Sequence, residues 1–168
     1  MRLPVFAFTL LASTANAQDL VVQFSDGAPK DSITVTNSGC PLANAMLVLD
    51  LGPSKGGLVF DVADQGAGVK VFQPVEIAYG YAALSPVRDG DQRLQIFVES
   101  LAAGAKLGLT ADLDDTLDVG QQITVSGSEM AGASITLALA DRVLTSTFGT
   151  DGIARLDLPD DASACLPS

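Results

Sequence analysis

The sequence predicts an all-β domain, a single antiparallel β-sandwich of about ten strands, of the immunoglobulin-like or jelly-roll type. Apolar residues recur at every second position through short segments, which is the period of a strand with one buried face. Turn-forming Gly, Asp, Asn and Pro separate these segments at intervals of roughly ten residues, a spacing typical of sandwiches. Helix signals are weak, because Gly104 ends the only candidate turn at 99–106.

Each strand is predicted from its own alternation and its flanking turn residues. The predicted strands are 20–24, 32–37, 45–51, 57–62, 69–72, 75–79, 93–100, 106–113, 121–127, 133–140, 142–148 and 153–158. The proline at 74 predicts a bulge or an edge strand beside it. The residues predicted to be buried are Leu47, Leu49, Phe60, Ile96, Leu109 and Leu137, with Phe72, Phe97 and Phe148 also assigned to the core.

The first seventeen residues have the pattern of a secretory signal peptide. One early Arg2 precedes an apolar stretch, and Ala15-Asn16-Ala17 forms a small-residue cleavage site. The stretch is too short to span a bilayer of about 30 Å, and no later segment is long and apolar enough to be a transmembrane segment. We therefore expect export to the periplasm or the exterior, with one mature domain at 18–168.

Composition excludes several classes of function. Cleavage after Ala17 changes the formal charge from −11 to −12, which argues against binding to nucleic acid or to anionic membranes. The chain contains no His, so Ser-His-Asp triads, Cys-His pairs and His-containing zinc sites are impossible. The two cysteines, Cys40 and Cys165, are predicted to form a disulfide in an oxidising compartment.

The segment 111–120 concentrates aspartates after a predicted strand. If Leu107, Leu109, Ala111 and Leu113 face inward, Asp112 and Asp114 share the outer face, and Asp115 and Asp118 lie in the turn beyond. Two alternatives remain open: a solvated turn, or a calcium site completed by other loops, because Ca²⁺ takes six to eight oxygen ligands. The other candidate ligands in acidic loops are Asp26, Asp31, Asp61, Asp64, Asp89 and Asp91.

Two further hypotheses use other residues. Tyr79 and Tyr81 would form the aromatic platform of a small carbohydrate-binding protein, although the chain has no Trp. Glu76 and Glu99 would be the carboxylate pair of a hydrolase, but any acidic chain contains such pairs. We expect no enzymatic activity, no certain cofactor and calcium as the one candidate ion.

Several stretches carry a resemblance to a known group. The segments "FSDGAPKDSITVTNSGC", "GAGVKVFQPVE", "RDGD" and "DLDDT" make the mature chain resemble small exported bacterial proteins labelled aggregation-factor core-like. The resemblance implies an adhesion or surface-interaction module whose partner is an extracellular or periplasmic protein or glycan surface. It also implies that Asp114 and Asp115 correspond to the paired aspartates of Calx-β-type adhesion modules, with Asp118 where Glu is usual.

Overall fold

The computed structural model describes residues 19–63, 71–117 and 125–158, and these residues form an all-β sandwich. The predicted fold class is therefore confirmed. The strands are β1 Asp19–Ser25, β2 Asp31–Asn37, β3 Leu42–Asp50, β4 Val59–Phe60, β5 Glu76–Tyr79, β6 Ala83–Leu84, β7 Arg93–Leu101, β8 Lys106–Ala111, β9 Leu113–Asp114, β10 Ser134–Ala138, β11 Val143–Thr147 and β12 Ile153–Asp157. The predicted signal peptide lies outside the described residues.

Two five-stranded antiparallel sheets pack face to face. The first sheet has the order β12-β1-β2-β8-β5, and the second sheet has the order β11-β10-β3-β7-β6. A short ribbon of β4 and β9 lies beside them. Several pairs of consecutive strands belong to different sheets, so the chain passes repeatedly from one sheet to the other. One such passage, residues 80–82 between β5 and β6, is called the connector below.

The core consists of the inward rows of both sheets. In the second sheet, Leu137, Leu47, Ile96 and Leu84 stand opposite one another across four strands. Six of the residues predicted to be buried are at most 1% exposed, which confirms that prediction: Leu47, Leu49, Phe60, Ile96, Leu109 and Leu137. Period-two alternation succeeds here because each strand has one face against the other sheet.

Two of the four phenylalanines assigned to the core are instead on the surface. Phe60 and Phe148 are buried as predicted, but Phe72 is 66% exposed and Phe97 is 44% exposed. Phe97 alternates with buried Ile96 and Val98, so the register of β7 turns its side chain away from the core. Phe72 belongs to the strand predicted at 69–72. The structure describes residues 71 and 72 of this segment, and neither is in a strand.

One short helix occurs where a strand had been predicted to end. The helix α1, Gly127–Met130, has a capping box in which Ser126 and Glu129 bond to each other's backbone N–H groups. Met130 anchors this turn in the core. Across the described ranges, no helix is both long enough and apolar enough to cross a membrane.

The sandwich has two distinct ends. At the cysteine end, Cys40 lies buried between β2 and β3. The last strand ends nearby, because Asp157 pairs with Asp19, and the Asp19 carbonyl accepts a 2.9 Å bond from the N–H of Ser38. Cys165 is outside the described residues, so the disulfide remains a prediction.

Candidate functional site

Several of the predicted acidic ligands meet at the opposite end, called the acidic end. Asp31 begins β2, and Asp61 follows β4. Asp112 directly precedes β9, and Asp114 is the last residue of that strand. Their carboxylates act on one another electrostatically, with Asp115 and Asp89 contributing to the field at Asp114. Asp64 and Asp118 lie outside the described residues.

The break between β8 and β9 places Asp112 at this meeting point. The residues predicted to face inward around it, Leu107 to Leu113 in alternation, are all buried. The Asp112 carbonyl accepts a 3.0 Å hydrogen bond from the N–H of Asp61, and its Oδ2 accepts a 2.8 Å bond from Nε2 of Gln73. Asp112 therefore joins three segments of the chain, and it is only partly exposed.

Burial and mutual repulsion make these carboxyls weaker acids. Burial, followed by the charges of Asp114 and Asp61, raises the pKa of Asp112 to about 6, against a smaller opposing effect of Lys30. The pKa of Asp114 is also raised to about 6, first by burial and then by the charge of Asp61. The side-chain interaction with Asp61 is a further cause of the raised pKa of Asp114, followed by the charges of Asp115 and Asp89.

Among Asp31, Asp112 and Asp114, the pKa of Asp31 is raised the most. Its side chain is buried, and burial raises its pKa to about 7 although the N–H groups of Gly27 and Leu113 bond to it. The Gly27 bond to Oδ1 is 3.1 Å long. Two backbone donors thus compensate the desolvation of this carboxylate only in part.

The remaining acidic-loop residues, Asp89, Asp91 and Asp26, have different roles. Oδ1 of Asp89 accepts bonds from the N–H groups of Val62 (3.2 Å) and Ala63 (3.4 Å). Asp91 accepts a 2.7 Å bond from the N–H of Arg88. Asp26 is exposed and acts on the cluster through its charge, which contributes to the raised pKa of Asp31. The Asp91 bond is the local turn bonding that aspartate favours, whereas Asp89 ties its own loop to the segment that follows β4.

The acidic end can hold protons close to neutral pH, and it attracts cations. Within the described ranges, no three or more Asp, Glu or Cys side chains are arranged as a set that could hold a metal ion. Calcium binding by Asp112, Asp114, Asp115 and Asp118, the last of which is outside the described residues, therefore remains one of the two alternatives predicted from the sequence. Neither of the two clefts described next, of about 740 and 530 Å³, is lined by Asp31, Asp61, Asp112 or Asp114.

A groove at the β6 edge of the second sheet, lined also by Ile77 of β5 in the first sheet, was not predicted. Met46, Phe97 and Ala83 stand opposite one another on β3, β7 and β6, and they form an apolar floor. The connector forms one wall, where Tyr81 is 94% exposed. The groove has a volume of about 740 Å³, within the range of ligand sites. The smaller cleft is polar and lies around the Arg93–Asp50 ion pair.

The two tyrosines proposed as one platform lie on different faces. The Tyr79 ring covers Gly108 on the first sheet, where any Cβ would collide with it, and its hydroxyl is 2.8 Å from Oγ1 of Thr34. Tyr81, two residues later, lines the groove of the second sheet. The paired platform expected for a carbohydrate-binding protein is therefore not formed.

The carboxylates proposed as a hydrolase pair are also separated. Glu76 is on the first sheet and forms a 2.7 Å ion pair with Lys30, which also donates to the carbonyl of Pro74. Glu99 is on the second sheet and lines the groove together with Asn44. These two glutamates belong to different surfaces.

One sequence signal would have revealed the groove. The alternation that buries Leu94, Ile96 and Val98 also assigns Phe97 to the opposite face. The same alternation places Met46 outside the core, next to Leu47. Which outward residues become neighbours depends on the register between β3, β7 and β6, and that register is not written in any one segment.

Comparisons with known proteins add no assignment. The chain matches no protein-family model, and no curated protein is significantly similar to it.

Proposed function

We propose that this chain is an exported adhesion or surface-interaction module, without catalytic activity, that binds its partner in the groove of the second sheet. The observation that carries the proposal is the exposed apolar floor under Tyr81, in a chain that is otherwise strongly acidic. Exposed aromatic and apolar groups gathered in a concave surface are typical of binding sites. The signal-peptide pattern and the resemblance to aggregation-factor core-like proteins support a location outside the cytoplasm.

The second candidate function, carbohydrate binding, has weaker support. Tyr81 and Phe97 remain available for contact with a sugar, but Tyr79 is held on the other face by Thr34. A carboxylate-based hydrolase has less support still, because Glu76 is engaged by Lys30. The groove thus favours association over hydrolysis.

Binding to intact cells tests the proposal. The purified, fluorescently labelled protein is added to cells of the organism that encodes it, and the cell-bound fluorescence is measured. We expect saturable binding that falls at least about tenfold in Tyr81→Ala and Phe97→Ala, because central aromatic contacts often contribute 2 kcal/mol or more.

Val143→Ala is the matched control, since it removes an exposed apolar side chain from β11, at the far edge of the second sheet from β6 and the groove. It should keep wild-type binding, provided that its melting temperature shows it is folded. A wild-type protein that does not bind cells would refute the function, and unchanged binding by Tyr81→Ala would refute the groove as its site.

A further inference from the structure

We infer that the partner is an extended polypeptide segment that binds in the groove as an added strand, along β7 beyond the end of β6. The inference rests on the proposed function and specifies the chemistry of the partner. Its basis is the register of β6 against β7, the direction of the β7 backbone and the charge of the groove.

The strand β6 covers only part of β7. Ala83 pairs with Phe97 and Leu84 with Ile96, and the N–H of Ser85 continues this ladder to the carbonyl of Gln95 at 2.9 Å. The same register, extended in the other direction, would set Tyr81 opposite Glu99. Instead β6 begins only at Ala83, and the two residues before it do not pair with β7. Within the described chain, Glu99 therefore has no strand partner on that side.

The connector leaves this position because of a turn at Gly80. Gly80 has a φ of +83°, and a Cβ there would lie 2.9 Å from the Lys106 carbonyl oxygen of the first sheet. The chain passes close to β8 and reaches the second sheet only at Ala83. The position beside β7 and opposite Glu99, which Tyr81 would have occupied if β6 were longer, is part of the groove.

The backbone of β7 points its hydrogen-bonding groups toward that place. Because the Gln95 carbonyl accepts from Ser85, Gln95 directs its peptide groups to the β6 side. In an antiparallel strand this direction alternates with period two, so Glu99 and Leu101 direct theirs to the same side. The Leu101 carbonyl is taken by Nδ2 of Asn37 at 3.0 Å, whereas the Glu99 peptide group borders the groove.

The side chains around this edge define the partner. Met46 and Phe97 would contact apolar side chains at alternate positions of an added strand. Glu99 is the only ionisable acid among the lining residues, and the whole chain carries a formal charge of −11. Charge complementarity therefore favours a segment that alternates apolar residues with Lys or Arg.

Selection of peptides on the protein tests this inference. A phage library of random ten-residue peptides is selected on the full chain, expressed for export and purified, and counter-selected on the Tyr81→Ala, Phe97→Ala double variant. We expect enriched peptides that alternate apolar with basic residues. Their affinity should fall at least about tenfold in Glu99→Lys, because a like charge replaces the attraction.

Backbone methylation separates an added strand from other modes of binding. In one version of a selected peptide, the amides at even positions are N-methylated, and in the other those at odd positions are. An added strand exposes one set to β7 and the other to solvent, so only one version should lose binding, by about tenfold or more.

The outcomes separate the two proposals. Equal binding by both methylated peptides, no peptide enrichment, or capture of neutral oligosaccharides from a glycan array in a Tyr81-dependent manner would overturn the added strand. If cell binding still depends on Tyr81 in those cases, the proposed function stands without it. If the protein does not bind cells at all, the proposed function fails, and the inference built on it fails as well.

Discussion

The two ends of the sandwich treat buried polar groups in opposite ways. At the cysteine end, the fully buried Asn37 side chain donates to the carbonyls of Cys40 (2.7 Å), Leu101 (3.0 Å) and Ala102 (3.2 Å), and its Oδ1 accepts from Gly39 (3.0 Å). At the acidic end, Asp31 is equally deep, but its two backbone donors leave its pKa raised to about 7. At the cysteine end, a neutral amide has its hydrogen-bond partners at every pH. At the acidic end, the buried carboxyls are stabilised only when protons or cations neutralise their charge.

This difference separates structural from responsive polar groups. A buried amide with matched partners adds stability that is independent of pH. A buried carboxylate near others adds stability only when its charge is neutralised. The following predictions test that contrast.

The largest effect is expected from the predicted disulfide at the cysteine end. Replacing Cys40 and Cys165 together by Ser should lower the free energy of unfolding by about 4–5 kcal/mol, because the bond would close a loop of more than 100 residues. Denaturant unfolding of the variant and of the unreduced wild type measures this. Titration of denatured, unreduced protein that reveals two reactive thiols would show that the bond is absent.

Asn37→Asp should be the next most damaging change. The variant keeps the shape of the side chain but loses the donors to three carbonyls and brings a negative charge toward them. We expect a loss of about 3 kcal/mol or more at pH 8, measured by denaturant unfolding. If the variant is as stable as the wild type, the amide does not have the structural role described above.

If the acidic end is a calcium site and not a solvated turn, calcium should stabilise it at pH 8, where Asp31, Asp112 and Asp114 have lost their protons. A bound ion would offset their repulsion and contribute about 2.7 kcal/mol at a hundredfold excess over Kd. Magnesium should replace it poorly, because it demands octahedral geometry and retains its water. The calcium effect should disappear in Asp114→Asn combined with Asp115→Asn. A melting temperature that is indifferent to millimolar calcium would leave protons as the sole means of neutralisation.

Stability should also depend on pH. The pKa of Asp31 rises from 3.8 to about 7, and those of Asp112 and Asp114 to about 6, so the folded state binds protons more tightly than the unfolded chain. The resulting stability is complete below about pH 4 and is lost as pH rises through 6 to 7. The melting temperature without calcium should therefore fall between pH 5 and pH 8.

Asp31→Asn should reduce this fall, because it imitates the protonated carboxyl. We expect a melting temperature at least about 2 °C above the wild type at pH 8, the equivalent of less than 1 kcal/mol in a domain of this size, and little change at pH 4.5. Asp157→Asn removes the same charge from an exposed position and serves as the control. If both variants shift equally, the effect comes from net charge and not from burial.

The sequence specified the strands and their buried faces more fully than the surfaces between them. Leu47 and Ile96 could be assigned to the core because alternation within one segment is enough to choose a face. The partial burial of Asp112 could not be foreseen, since it depends on Gln73 and Asp61 arriving from other segments. Phe97 was predicted to be buried because it lies in a strand pattern, but it occupies an outward position of the β7 alternation.

The contact between Tyr79 and Gly108, on neighbouring strands of the first sheet, fixes the residue from which the connector departs. Tyr79 lies across β8 to reach Thr34 on β2, and only a residue without a side chain at 108 permits this. The connector begins directly after this anchored ring and supplies Tyr81 to the groove on the other side of the molecule. The segment that carries Tyr81 therefore starts from an anchored residue. If the groove is the binding site proposed above, a larger residue at position 108 would displace Tyr79 and change recognition on the other side of the molecule.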